Sequence, residues 1–315
     1  MGRVFRDIEG GRLFPHGSVV CIGAFDGLHL GHQALVRRAF QHATALDVPT
    51  VALSFEPLPR EFFAPAAPPP RLTLTRAKIE GLHRFGADSV GLLRFDTRLA
   101  AMRAQAFVEH VLVGRLGVRE VLIGPQFRFG HQRSGDIALL QQLGLRYGFT
   151  ATEIAPLHRH GERVSATRIR TLLAAGHFAH VAELLGRPYM IGGHVVRGRQ
   201  IGSTLGYPTA NMRFPHPLAL AGIYATWVHG IFEQPWPSVS SFGTRPTVGG
   251  VEPLLEVHLF DFQGDLYGRR IDVEFVAKLR DEATFPDLPT MTTQIHRDAQ
   301  EARRILSEHR LRATA

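Results

Sequence analysis

Apolar residues fall along this chain in two different rhythms. In the first part, short continuous apolar runs alternate with segments of helical spacing. The runs are SVVCIGAF (18–25), PTVALSFEP (49–57), ADSVGLLRF (87–95) and VREVLIG (118–124). Such runs suit strands covered on both faces. The segments between and after them, Leu30 to Leu46, 75–86, 104–117 and 136–148, carry apolar residues at helical spacing. One stretch breaks the alternation: LPREFFAPAAPPPRLT (58–73), whose prolines predict an irregular surface excursion. Strand–helix alternation of this kind predicts a doubly wound α/β domain, with a parallel sheet and helices on both faces. Ligands in such sheets sit beyond the carboxyl ends of the strands.

The rhythm changes near residue 186. SATRIRTLLAAGHFAHVAELLG (165–186) reads as two short helices separated by Gly176. Beyond it come short strand-like runs broken by Gly, Pro and Asp: GIYATWVHGIF, PSVSSFGTRP, LLEVHLFDF and RRIDVEFV. They predict a small antiparallel β-barrel. Thr293 to Leu311 reads as a terminal helix. The predicted domains are 1–186 and 187–315, with the boundary at Gly186–Arg187, and no repeat links them.

Composition narrows the function classes. No apolar run reaches the length of a membrane span, and MGRVFRDIEGGRLF lacks the apolar core of a signal peptide, so no membrane partner is expected. Cys21 is the single cysteine, which excludes disulfides and a cysteine-based zinc site. A reducing cytoplasm is the simplest location. The net charge of +8 fits either nucleic acid or phosphate-bearing small molecules. It is carried by arginine, for Lys78 and Lys278 are the only lysines, and no block of like charges marks a nucleic-acid stripe. Oligomeric state is not legible.

Two stretches carry candidate chemistry. The first is GAFDGLHLGHQ (23–33), which joins a predicted strand to a predicted helix. Free N–H groups and the helix dipole favour an anion there. Gly23, Gly27 and Gly31 let a phosphate chain approach the backbone, and His29 and His32 can donate to its oxygens or stabilise developing charge. Zinc binding is the competing use of paired histidines, but no H-E-x-x-H pattern occurs.

The second is VVRGRQIGSTLGYPTANM (195–212), in which Gly198, Gly202 and Gly206 interrupt a strand-like stretch. Such a loop can fold over phosphates. Pro208 fixes the backbone, and Thr209 and Asn211 then present oxygens on one side of an extended segment. Hydroxyl and amide oxygens suit Mg²⁺. The competing use of the glycines is a plain barrel corner.

These motifs carry a resemblance that spans nearly the whole chain. The first is similar to the F-D-G-x-H-x-G-H signature of nucleotidyltransferases that move adenylyl groups from ATP. Through this motif and those downstream of it, the chain resembles the bacterial bifunctional riboflavin kinase/FMN adenylyltransferase family. IGPQFRFGHQRSGD (123–136) resembles that family's loop contacting flavin and nucleotide, matching at Gly124, Phe127 and Phe129 with Gln126 in place of the usual Asp or Asn. VSATRIR (164–170) resembles its S-S-T-x-x-R stretch. There Ser165 and Thr167 can cap a helix and Arg168 or Arg170 can reach a phosphate, with Ala166 replacing the second serine. Glu56 and Leu58 depart from the commoner F-D-P-H-P. G-Y-P-T-A-N resembles the riboflavin kinase signature, with Tyr207 for the commoner phenylalanine. FGTRPTVGG (242–250) resembles the G-T-N-P-T loop, with Arg245 for asparagine.

The resemblance implies an α/β nucleotidyltransferase domain followed by a small antiparallel β-barrel kinase domain with a C-terminal helix. It implies ATP as substrate at two sites, with riboflavin, FMN and FAD as flavin substrates and products and Mg²⁺ as cofactor. Phe25 and Asp26 join the ATP loop with His29 and His32. Among Glu256, Asp261 and Asp265, each a possible carboxylate for a hydroxyl proton, the resemblance selects Glu256 as base, and it sets Arg280 near the flavin. Two alternatives stay open. One is a kinase whose adenylyltransferase half is weakened by Gln126, Ala166 and Leu58. The other is an RNA-binding nucleotidyltransferase-like protein, disfavoured because no K-M-S-K-S-like lysine loop is present.

Overall fold

The computed structural model describes residues 3–198, 206–247 and 250–314. Its packing divides the chain into two compact units, residues 1–69 with 73–166 and residues 70–72 with 167–315.

The first unit runs β1 (Arg3–Phe5), β2 (Ser18–Ile22), α1 (Leu30–Ala45), β3 (Thr50–Glu56), α2 (Pro59–Phe63), α3 (Thr75–Arg84), β4 (Ser89–Arg94), α4 (Thr97–Ala101) and α5 (Ala104–Ala106). It continues through a π-helix (Phe107–Arg115) to β5 (Val118–Ile123), α6 (Ile137–Tyr147), β6 (Thr150–Glu153) and a small hairpin, β7 (His158–Arg159) with β8 (Glu162–Arg163). The sheet order is β1-β4-β3-β2-β5-β6 and every neighbouring pair is parallel, as the alternation predicts. Helices cover both faces. Val20, Ile22, Leu53 and Val121 face the π-helix and α6, whereas Val19, Cys21, Ala52 and Leu122 face α1 and α3. This accounts for the continuous apolar runs.

The order locates a crevice. From β2 the chain builds β3 and β4 to one side, then returns to place β5 and β6 on the other. Ligands bind at such a switch point, beyond the carboxyl ends. The two loops leaving β2 and β5 there are GAFDGLH and IGPQFRF.

Three local features differ from the sequence expectation. β1 and β6 are short edge strands with little apolar pattern to announce them. The proline-rich excursion contains α2, begun by Pro59 at its first turn with the Glu61 carboxylate accepting from Leu58 N at 2.8 Å. The helix expected at 104–117 widens over Phe107–Arg115, where Leu116 N reaches back to Val111 O at 3.0 Å.

The second unit runs α7 (Ala166–Ala174), α8 (Phe178–Leu185), β9 (Met190–His194), β10 (Ala210–Arg213), β11 (Gly222–His229), β12 (Trp236–Thr247), β13 (Gly250–Leu259), β14 (Arg270–Arg280) and α9 (Leu288–Thr314). The packing boundary, between Ala166 and Thr167, groups α7 and α8 with the barrel. The sheet is antiparallel in the order β10-β13-β12-β11-β14-β9. An isolated bridge, Val196 N donating to Asn211 O at 2.8 Å, brings its two edges together into a near-closed barrel. Phe178 of α8 packs on Tyr224 and Phe275. α9 lies on the barrel through Ala299, Ala302 and Leu306 against Ala225, Trp227, Val239 and Phe260. It starts earlier than expected because Asp287 caps it, its carboxylate accepting from Thr290 N at 2.7 Å.

Candidate active sites

The loop after β2 is held in an uncommon conformation. Phe25 and Leu28 have φ of 50° and 46°, and Gly27 has 88°. Side-chain residues tolerate this region only where surroundings enforce it, and such strain collects at functional sites. Here buried Asp26 accepts from Thr73 N at 3.0 Å, and Thr73 Oγ1 accepts from Gly27 N at 2.9 Å. Buried Phe25 and Leu28 sit in the core between sheet and α1. Gly81 of α3 makes room for Leu28, whose Cδ1 would lie 2.3 Å from a Cβ there.

His29 is the N-cap of α1. Its Nδ1 accepts from His32 N at 3.3 Å, so in the neutral ring the hydrogen resides on Nε2. The His29 and His32 rings stack at 3.7 Å with 16° between planes, and Phe25 meets His32 edge-on at 5.3 Å. Gly31 permits this, for a Cβ would come within 3.2 Å of the His29 ring. Burial, then His29, then Lys78 hold His32 well below the usual imidazole range, so it is neutral at physiological pH. Its Nδ1 is shielded from solvent with no hydrogen-bond partner among the described residues. A stacked imidazole pair, its His32 neutral, thus crowns a helix N-terminus at the switch point. Lys78, fully buried on α3, is a charge near His32 that the motif reading did not include.

In the loop after β5, Gln126 has φ of 63°, a conformation in which Asp or Asn is at less cost. Arg163 donates to Gln126 Oε1 at 3.0 Å and to Pro125 O at 3.3 Å. Phe127 and Phe129 stack at 5.8 Å, and Gly124 has open space where a side chain would project. An aromatic cluster absent from the motif reading gathers Phe55, Phe62, Phe63 and Phe95, with centroids 5.3–5.7 Å apart and Phe63 68% exposed. The run EFF after FEP was its only signal. Ser165 stands just before α7, in the capping position, and Thr167 lies in its first turn. Arg168 is half-buried, and Arg170 Nε donates to Pro70 O at 2.7 Å.

In the barrel, Asn211 and Glu256 are direct partners across β10 and β13. Thr209, two residues earlier on the same side, accepts from Asn211 Nδ2 through its carbonyl at 3.1 Å and its hydroxyl at 3.3 Å. Gly198 leaves space for that amide: a Cβ would lie 2.6 Å from Asn211 Nδ2. His258 shares the face of Glu256, and its Nδ1–H donates to Pro208 O at 2.9 Å. The three candidate carboxylates are in different settings. Asp261 is paired with Arg303, which holds it below the usual carboxylate range. Asp265 accepts from Tyr267 N at 2.8 Å. Glu256 is the one beside Asn211. Arg280 is engaged by Asp298 through Nε at 3.0 Å and Nη2 at 2.7 Å, and lies over the Phe285 ring at 5.6 Å. Gly206 has φ of 81°, whereas Gly202 lies outside the described residues.

Comparison with known proteins finds two families along the chain. The family model for FAD synthetase matches residues 12–168, and that for riboflavin kinase matches residues 185–306. The bifunctional riboflavin kinase/FMN adenylyltransferase of Escherichia coli K12 is 43% identical over 91% of this chain and 92% of its own. The protein of that name from Pseudomonas fluorescens is 43% identical over 93% and 95%. A crystal structure from Streptococcus pneumoniae, described as a macrolide-efflux protein, is similar with a TM-score of 0.78 at 27% identity, covering 95% of this chain and 98% of that one. Among the described residues of this chain, no helix is long and apolar enough to cross a membrane. With both family models matched and identity sustained over more than nine-tenths of the chain, the chain belongs to the bifunctional riboflavin kinase/FMN adenylyltransferase family.

Proposed function

We propose that the two activities of the family run at separate sites, with the residues named above in defined roles. The chain phosphorylates riboflavin with ATP to give FMN, and adenylylates FMN with a second ATP to give FAD and pyrophosphate. In our reading residues 1–186 serve adenylyl transfer and 187–315 serve the kinase.

For the kinase, Glu256 orients the riboflavin 5′-hydroxyl and accepts its proton as the oxygen attacks the γ-phosphorus of ATP. Thr209 Oγ1 and Asn211 are the residues that would hold Mg²⁺. The donor set fits, since both offer hard neutral oxygens, and the Asn211 amide lies in a recess that a Cβ at Gly198 would fill. When bound, the ion would neutralise phosphate charge. The loop bearing Gly198, Gly202 and Gly206, followed by Pro208, covers the phosphates, and Arg280 borders the flavin side. The Asn211–Glu256 pairing is the observation that carries this reading.

For adenylyl transfer, the FMN phosphate attacks the α-phosphorus and the bond to pyrophosphate breaks. The nucleophile is already ionised, so positioning and charge stabilisation dominate. Gly23, Phe25, Asp26, Gly27 and Gly31 shape the ATP loop. His29 donates from Nε2, and neutral His32 donates without adding charge. Ser165, Thr167, Arg168 and Arg170 serve the phosphates. Gly124, Gln126, Phe127 and Phe129 border flavin and nucleotide, and the Phe55–Phe62–Phe63–Phe95 cluster offers an aromatic surface suited to a flavin ring. The partners are these small molecules, without nucleic acid or membrane, and the location is the cytoplasm.

Riboflavin, ATP and Mg²⁺ incubated with the pure protein, with the flavins then separated, test both halves. FMN followed by FAD is expected. FMN without FAD overturns the adenylyl-transfer assignment, and absence of FMN overturns the kinase assignment.

A further inference from the structure

We infer that the hydrogen bond between Tyr207 and His296 is a positioning contact that docks the Thr209–Asn211 segment of the kinase site onto the C-terminal helix. The inference rests on the reading of Thr209, Asn211 and Glu256 given above.

The residue preceding Tyr207 cannot fix this segment. Gly206 is in a left-handed conformation, and among the described residues nothing lies within 4 Å of where its side chain would be. Tyr207 is held on two sides. Its ring meets His258 of β13 edge-on at 5.0 Å and His296 of α9 edge-on at 5.2 Å. It also packs against the cluster that joins α9 to the barrel. Its hydroxyl bonds His296 Nδ1. Burial pushes the phenol up from its ordinary value, so the hydroxyl keeps its hydrogen at neutral pH and can donate to that nitrogen.

From there the constraint passes along the chain. Pro208 O accepts from His258 Nδ1–H, and Thr209 accepts from the amide of Asn211, the cross-strand partner of Glu256. At the other end α9 is a firm support. Arg280 is paired with its Asp298, and its Arg303 forms a two-point pair with Asp261 at 2.8 and 2.9 Å. A phenylalanine at 207 would preserve the ring contacts and lose only the tether. Tyr207 and His296 therefore act through Thr209 and Asn211, as positioning residues for bound nucleotide.

The test uses the full-length chain with Tyr207→Phe, His296→Phe and the double variant. Riboflavin phosphorylation is measured against MgATP concentration, and adenylylation of supplied FMN is the control in the same molecules. One lost hydrogen bond predicts an increase of about three- to tenfold in KM for ATP, with kcat altered less. The double variant is expected to cost no more than the larger single change. FAD formation from FMN is expected to stay within about twofold of the parent, which shows that the chain is folded. An unchanged KM in Tyr207→Phe, or additive effects of the two substitutions, overturns the inference. Asn211→Ala separates the two layers of argument. If it leaves phosphorylation intact, the site reading and the inference fall together. If it stops phosphorylation while Tyr207→Phe is silent, only the tether falls.

Discussion

The two candidate sites are built on opposite plans. The proposed adenylyl-transfer site is local: Phe25 to His32 lie within one strand-to-helix turn, shaped by positive-φ backbone, a histidine cap and a stacked ring pair. The proposed kinase site is assembled across strands, for Asn211 and Glu256 are opposite one another only because β10 and β13 pair in one register. Substitutions in the first therefore act through the conformation of one turn. Substitutions in the second act through which side chains share a barrel face, and a one-residue slip would turn Glu256 away.

The largest effects should come from removing the chemistry of one site while reading the other. Glu256→Gln is expected to lower FMN formation by about 10²–10⁴-fold, the range for a positioned base, and to leave FMN-to-FAD conversion intact. His29→Ala should do the reverse, with a loss of about 10²–10³-fold for a charge-stabilising donor. It should also weaken α1 by about 1 kcal/mol, because Nδ1 is the cap acceptor. His29→Asn separates the two roles: urea unfolding should recover while adenylyl transfer does not. Loss of both activities in a folded variant would break the picture of independent sites.

The difference in plan also explains what was legible in the sequence. GAFDGLHLGH declares itself because its residues are adjacent and a helix N-terminus needs no partner from afar. The use of His29 as a cap was not legible, since it depends on a rotamer. The Asp26–Thr73 and Leu28–Gly81 contacts were not, since they depend on where α3 docks. In the barrel, G-Y-P-T-A-N and the Glu256 strand were each visible as patterns, but their pairing is a matter of register that no single segment encodes. The engagement of Arg280 by Asp298 is likewise invisible until α9 lies on the barrel. Among elements, long apolar runs with helices between them were readable. β1, with three residues and a single buried position, was not.

Intermediate effects should come from two glycines, one shaping each site. Gly31→Ala brings a Cβ within 3.2 Å of the His29 ring, so the ring must give by a few tenths of an ångström. About a tenfold loss of adenylyl transfer is expected, because such displacements are costly in positioned catalysis. Gly198→Ala brings a Cβ to 2.6 Å from Asn211 Nδ2 and must displace the amide. Here riboflavin phosphorylation should fall about tenfold or more at subsaturating MgATP, with adenylyl transfer unchanged. If each alanine impaired both activities, the recesses would be features of general stability rather than of their sites.

The smallest effect separates the sites by proton binding. His32 is kept neutral in the folded chain, first by burial, and its pKa lies well below its unfolded value of about 6.5. Below that value the unfolded chain binds a proton that the folded chain refuses, so stability rises with pH across the window and is lost as acid is added. One such group contributes a slope of at most about 1.4 kcal/mol per pH unit. Urea unfolding followed by loss of adenylyl transfer at pH 5.5, 6.5 and 7.5 should therefore show a midpoint that falls toward acid. His32→Gln, with no imidazole to protonate, should flatten that dependence by up to one proton's worth while itself reducing activity. An unaltered slope in His32→Gln would mean that His32 is protonated in the fold, and its role would change from neutral donor to cation.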